Sequence, residues 1–143
     1  MMLAASLALA IEMSQVKEKD IQCLTEAIYH EARGEPEKGQ IAVAHVIKNR
    51  LKNNSAYKGF CRVVHQVGQF SYWNGKKKLK KYRDKLALSN ARRIAQLVVA
   101  KAVPDTSHSA LYFKKVGVKS KGFRGLVRTV RIGNHDFYRK RST

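Results

Sequence analysis

The chain has 143 residues, 44% of them hydrophobic and 27% charged, with a formal net charge of +19. That length accommodates one domain around a single core, and the ordinary apolar fraction excludes wholesale disorder. The positive surplus makes a polyanion the expected partner, whether nucleic acid, an anionic membrane face or an acidic envelope polymer.

The charge is unevenly placed. Residues 1–37 carry seven acids against three basic residues, a balance of −4, whereas residues 38–143 carry three acids against 26 basic residues, a balance of +23. The opening run from Met1 to Ala10 is apolar, ends in a small-residue Ala-Leu-Ala and lacks a basic start. It is too short to span a bilayer and reads either as a curtailed export signal or as an N-terminal helix packed on the domain. Residues 1–19 are therefore set apart as an apolar segment or helix, and 20–143 as one domain.

A helix is expected from Asp20 as N-cap, with Ile21, Leu24, Ala27 and Ile28 along one face and Gly34 as its stop. Glu31 falls four residues after Ala27 and three after Ile28, on that same apolar stripe. A carboxyl group partly stripped of water keeps its proton to higher pH and can donate it to a leaving group. The alternative is a structural glutamate paired with Arg33, Arg50 or His30. Pro36 suits the first turn of a second helix, whose run from Ile41 to Leu51 is apolar nearly all round, as in a central helix. Gly39 would let another segment approach its first turn, and His45 reads as a core histidine.

Lys52 to Gly59 reads as a loop and Phe60 to Gln66 as a short helix or turn. Gln69-Phe70-Ser71-Tyr72-Trp73 mixes rings with hydrogen-bonding groups before an Asn74-Gly75 turn, a composition suited to stacking on sugars or to filling core. The basic run from Lys76 to Arg83 leads into a helix from about Asp84 to Ala102, closed by Pro104. The last third is β-like: Ala110 to Phe113, then Leu126 to Ile132, a Gly133-Asn134 turn, and His135 to Tyr138 as a closing hairpin.

Cys23 and Cys61 permit one bridge, or two free buried thiols. No metal site is expected, since neither cysteine is read with a second ligand at zinc-site spacing.

Several pieces, in order, resemble the cell-wall hydrolase family typified by the spore-cortex lytic enzyme SleB, which includes phage lysins. They are Glu31-Ala32-Arg33-Gly34-Glu35-Pro36, Gly39 to Ala44, Asn49-Arg50-Leu51, Gln69-Phe70-Ser71, Leu111-Tyr112-Phe113 and Ile132 to Tyr138, covering roughly residues 20–138. The resemblance implies an α+β, mainly α, lysozyme-like fold with a small C-terminal β-hairpin region. It also implies cleavage of peptidoglycan between N-acetylmuramic acid and N-acetylglucosamine, with Glu31 as the essential acid and neither metal nor organic cofactor. In Gram-negative and phage members the positions of Cys23 and Cys61 are often cysteine, which favours a disulfide. The chain departs from the pattern at Tyr72-Trp73-Asn74, where relatives tend to place Trp directly after the serine.

Ordinary glycosidases need two carboxyl groups. Beyond Glu31 this chain offers Glu35 and Glu37 nearby and only Asp84, Asp105 and Asp136 later. That scarcity agrees with a lytic transglycosylase, which needs one, while a hydrolytic muramidase of the same fold is the alternative. Gln69, Phe70, Ser71, Tyr112, Tyr29 and His135 are the candidate substrate-binding residues, and Glu35 and Arg33 the structural supports, Glu35 capping the next helix or holding Arg33. The chain is expected to act as a monomer on bacterial peptidoglycan, at the cell wall or periplasm. It would be made in the host cytoplasm if phage-encoded and exported if bacterial. Its basic face would serve anionic envelope polymers or a membrane surface. The rival classes are a nucleic-acid-binding module, disfavoured because no such motif is present, and a catalytically inert wall-binding protein of the same fold.

Overall fold

The computed structural model describes residues 2–56, 58–65 and 82–142. Four helices, α1 (Met2–Ala32), α2 (Glu37–Asn53), α3 (Phe60–Val64) and α4 (Lys85–Val99), precede three strands, β1 (Tyr112–Lys115), β2 (Leu126–Ile132) and β3 (His135–Lys140). The strands form one antiparallel sheet in the order β1-β3-β2.

The first helix does not start at Asp20. It runs unbroken from Met2, so Asp20 lies mid-helix, and its Oδ1 accepts the Phe60 backbone N–H at 3.3 Å, at the first residue of α3. The side chain serves an orphan donor of another helix because its own backbone is already inside a continuous ladder. Of the described side chains in the first part of α1, Leu7, Leu9 and Ile11 are 63%, 59% and 51% exposed rather than packed on the domain. No described helix is long and apolar enough to cross a membrane.

Helix α2 is the centre of the molecule. Ile41 to Ile47 are all buried. Ile41, Ala44 and Ile47 join Leu24, Ile28, Val63, Ile94 and Val98 in a helical core, while Ala42, Val43 and Val46 meet Ile132 and Phe137 from the sheet in a second core. An apolar surface on every side is what a helix sandwiched between two layers requires. A Cβ on Gly39 would stand 3.3 Å from Ile132 Cγ2, so the bare backbone there is what lets the end of β2 close onto the first turn of α2.

Cys23 of α1 and Cys61 of α3 are joined by a disulfide, with Cα atoms 5.2 Å apart across a sequence separation of 38. α4 begins on Asp84, whose side chain accepts the Ala87 N–H at 2.9 Å. β2 and β3 form the expected closing hairpin, and β1 pairs with the other edge of β3, with Tyr112 opposite Tyr138 and Lys115 opposite His135. The register slips between Arg128 and Val130 on β2, where Thr129 Oγ1 donates to Ser107 O at 2.7 Å and pins the sheet to the preceding loop.

Candidate active site

The site is built where the C-terminal end of α1 meets the tip of the β2–β3 hairpin. Gly34, at φ +84°, ends the helix in the left-handed conformation, and the chain turns through Glu35 into α2. His30, Glu31, Arg33, Gly34 and Glu35 come from that corner, Asn134 and His135 from the hairpin, and Lys115 and Val116 from the end of β1, around an open cavity of about 460 Å³. Glu31 is half-buried in this wall.

Glu35 holds the two halves together. Its carboxylate accepts the Asn134 N–H, with Oε1 at 3.1 Å, and the same oxygen lies 3.3 Å from His135 Nδ1, close enough for an ion pair but not aligned as a hydrogen bond. The Glu35 side chain is 9% exposed and that of His135 4%. Gly133, at φ +55°, lies so close that a Cβ there would collide with Glu35 Oε2 and Pro36 Cδ. Glu35 therefore neither caps α2, whose N-cap is Pro36 without a side-chain bond, nor turns to Arg33. Its carboxylate grips the hairpin tip, while its backbone carbonyl takes the Gln40 amide at 2.9 Å.

His135 is buried edge-on against Phe113, with ring centroids 5.2 Å apart. Burial pushes its pKa below the ordinary imidazole value, the neighbouring Glu35 opposes that shift, and Lys115 adds to it. The neutral ring is thus favoured beside the cavity.

The other candidates fall elsewhere. Tyr29 is buried, and its hydroxyl accepts from Arg33 Nη1 at 2.7 Å and from the Asp84 N–H at 3.0 Å, tying the α1 corner to the start of α4. Arg33 also lies over the Tyr29 ring, 4.8 Å from its centroid. Tyr29 lines a second cavity, of about 510 Å³, that shares Arg33, Gly34 and Glu35 with the first. Tyr112 is not brought to Glu31. Alternation along β1 puts Phe113 and Lys115 on the face shared with His135 and Phe137, and Tyr112 on the opposite face with Tyr138 and Phe123. Its ring lies under Arg50 instead, at 5.3 Å. Gln69, Phe70 and Ser71 lie outside the described residues, as do Tyr72, Trp73 and the basic run as far as Lys81.

Asn134, Lys115 and His30 line the cavity without having been singled out from the sequence. Asn134 could have been found, since it follows a turn glycine and precedes His135; Lys115 could not, because only the β1–β3 pairing brings it there.

The other carboxylates weighed from the sequence have structural partners. Asp84 caps α4. Asp105 takes Asn49 Nδ2 at 3.0 Å and both the N–H and the hydroxyl of Ser107, which hold its pKa below the usual carboxylate value despite burial. Asp136 is clamped by Arg131 Nε and Nη2 at 2.6 and 2.9 Å, and that bonding lowers its pKa. Glu37 pairs with Arg93. His45 is buried in α2, its Nδ1 3.0 Å from Ile41 O, in the core position expected of it.

Among solved structures the fold is similar to the catalytic domain of the Bacillus cereus SleB protein, with a TM-score of 0.66, 27% identity, and coverage of 85% of this chain and 91% of that one. It is similar to the same domain of the germination-specific lytic transglycosylase SleB from Bacillus anthracis, with a TM-score of 0.65, 28% identity, and coverage of 84% and 93%. By sequence, 36 residues are 58% identical to a spore cortex-lytic enzyme of Oceanobacillus iheyensis, and 34 are 59% identical to that of Bacillus subtilis. Those stretches are 25% and 24% of this chain but only 13% and 11% of the relatives' lengths. The family model for cell wall hydrolases matches residues 34–138, from the Gly34 corner through the hairpin that closes the cavity. With that span matched and the α+β, mainly α fold of the SleB catalytic domains, the chain belongs to the SleB-like cell wall hydrolase family.

Proposed function

We propose that the chain degrades peptidoglycan, cleaving the β-1,4 bond between N-acetylmuramic acid and N-acetylglucosamine as a lytic transglycosylase with Glu31 as its single acid and base. The observation that carries this reading is the division of labour at the cavity. Two glutamates line it: Glu35 is bonded to the hairpin tip, and Glu31, half-buried in the wall at the end of the apolar face of α1, is the one proposed to act on a bound glycan. The bonded positions of Asp84, Asp105 and Asp136 argue against a second carboxylate acting as nucleophile.

In the proposed reaction, protonated Glu31 gives its proton to the glycosidic oxygen as that oxygen leaves C1 of the muramic residue. The resulting carboxylate takes the proton of the C6 hydroxyl, whose oxygen attacks C1 and closes a 1,6-anhydro ring. Water is not consumed, and Glu31 ends protonated as it began. The Bacillus anthracis relative is described as a lytic transglycosylase, which supports this over hydrolysis. Gln69, Phe70 and Ser71 are proposed to bind the sugar chain, and His135 and Asn134 line the cavity beside Glu31.

The charge balance of +23 over residues 38–143 would hold such an enzyme near a sacculus bearing peptide carboxylates and envelope phosphates. Clearing of purified sacculi tests the function. The native chain is expected to lower their turbidity and Glu31→Gln to do so about 10²–10⁴-fold more slowly. No clearing by the native chain, together with retardation of DNA in a gel, would replace the proposal with the nucleic-acid-binding reading.

A further inference from the structure

Where α1 meets α3, three groups capable of binding metal converge beside the Cys23–Cys61 bridge, away from the cavity lined by Glu31. Cys23 and Glu26 lie three residues apart on α1; Cys61 lies in α3 and His65 four residues after it, at its C-cap. Both spacings put the second group over the first on one helical face, contrary to the expectation that neither cysteine has a partner at ligand spacing. Cys23 Sγ, a Glu26 carboxylate oxygen and a His65 ring nitrogen all lie within 4.8 Å of one another, with His65 Nε2 3.5 Å from Glu26 Oε2. Cys61 Sγ, bonded to Cys23 Sγ, lies outside this group with Lys19 O at 3.4 Å, so it joins the set only by turning inward once the bridge is reduced.

We propose that this cluster is a redox-dependent divalent metal site: bridged by a disulfide when oxidised, and able to hold zinc through Cys23, Cys61, His65 and Glu26 when reduced. Two sulfurs, one imidazole nitrogen and one carboxylate oxygen make a closed tetrahedral set of the kind zinc takes in structural sites. Reduction needs a two-electron reductant, such as a dithiol. A dithiol gives two electrons and two protons to the Cys23–Cys61 bond and becomes a disulfide itself; zinc then displaces the two thiol protons into solvent. At Zn–S distances of ~2.3 Å the sulfurs of a tetrahedral site stand about 3.8 Å apart. The bridge therefore opens by an ångström or two while His65 and Glu26 close in by about one.

The surroundings suit this. Cys23 is 6% exposed and the Glu26 side chain 16%, while His65, at 33%, leaves a path from solvent. The Tyr82 hydroxyl bonds the Glu26 carboxylate, an outer partner that would orient a ligating oxygen. The consequence is a cross-link between α1 and α3 in either compartment, covalent under oxidising conditions and metal-mediated under reducing ones.

The test uses the full chain, reduced with a phosphine and titrated with zinc against a chromophoric chelator, then with cobalt as an optical probe. The reduced native chain is expected to bind one zinc and, with cobalt, to show thiolate charge-transfer absorption; the oxidised chain should do neither. Cys61→Ser, His65→Ala and Glu26→Gln should each weaken binding by more than the roughly 10–100-fold that loss of an outer partner costs. Glu26→Gln keeps the side-chain volume, so a folded variant is available, and zinc should raise the Tm of the reduced native chain but not of His65→Ala. Zinc held no more tightly by the native chain than by Cys61→Ser, or unchanged affinity in both His65→Ala and Glu26→Gln, overturns the proposal. None of these readouts involves lysis, so the result is independent of the activity proposed above.

Discussion

Four residues separate Glu31 from Glu35, yet the fold gives them different surroundings. Glu31 faces an open cavity, whereas Glu35 is enclosed by the backbone of the hairpin tip. Gly133→Ala tests that enclosure: the new Cβ would strike Glu35 and Pro36 at a residue already at φ +55°, so we expect a loss of about 1–3 kcal/mol in urea melts and slower clearing of sacculi. His135 makes a pH prediction. Its pKa is lowered in the folded chain, mainly by burial, so between the ordinary imidazole pKa of about 6.5 and the lower folded value the unfolded chain binds more protons. Its contribution to stability is therefore unimpaired above that range and declines on acidification. In denaturant melts His135→Gln should show a shallower loss than the native chain between about pH 7.5 and 5; an unchanged slope would remove His135 from the account.

At the scale of elements, what could be read from sequence was whatever depended on neighbours within one segment. The face shared by Leu24, Ala27, Ile28 and Glu31, the apolar girdle of α2 and the close approach at Gly39 all followed from helical spacing and side-chain size. What could not be read depended on which elements meet. Asp20 resembles an N-cap in isolation, but the helix continues upstream and the side chain finds Phe60 across space. Tyr112 falls on the far face because strand parity acquires meaning only once β1 pairs with β3. The cluster of Cys23, Glu26 and His65 forms only where α1 and α3 meet. Two substitutions weigh these contacts. Phe137→Ala, at the fully buried centre of the sheet-side core, should cost about 3–5 kcal/mol. Replacing both cysteines by serine should cost the oxidised, metal-free chain about 3–4 kcal/mol, the loop entropy of a 38-residue separation. A change below 1 kcal/mol in either melt would contradict the packing described.

Over the whole molecule the acids gather in the first quarter of the chain, and the basic surplus covers the rest. One basic surface is plain on the sheet face turned away from Glu31. There Lys114, Lys119, Lys121 and Arg124 surround Phe123 and Tyr138, with the Lys114 ammonium 5.9 and 5.6 Å from the two ring centres. Charge on this face, turned away from the cavity, can concentrate the chain on an anionic wall without entering the proposed reaction. Co-sedimentation with sacculi should fall steeply as salt rises from about 0.05 to 0.5 M, because the screening length shrinks to a few ångströms. Binding indifferent to salt would mean that the surplus has no part in adsorption.

Glu31 is proposed to act alone, first as acid and then as base. Mass spectrometry of the fragments released from sacculi tests it most directly. The native chain should yield muramic ends one water lighter than reducing ends, and Glu31→Gln should yield almost none. Reducing ends from the native chain, or anhydro ends formed at the native rate by Glu31→Gln, would contradict it.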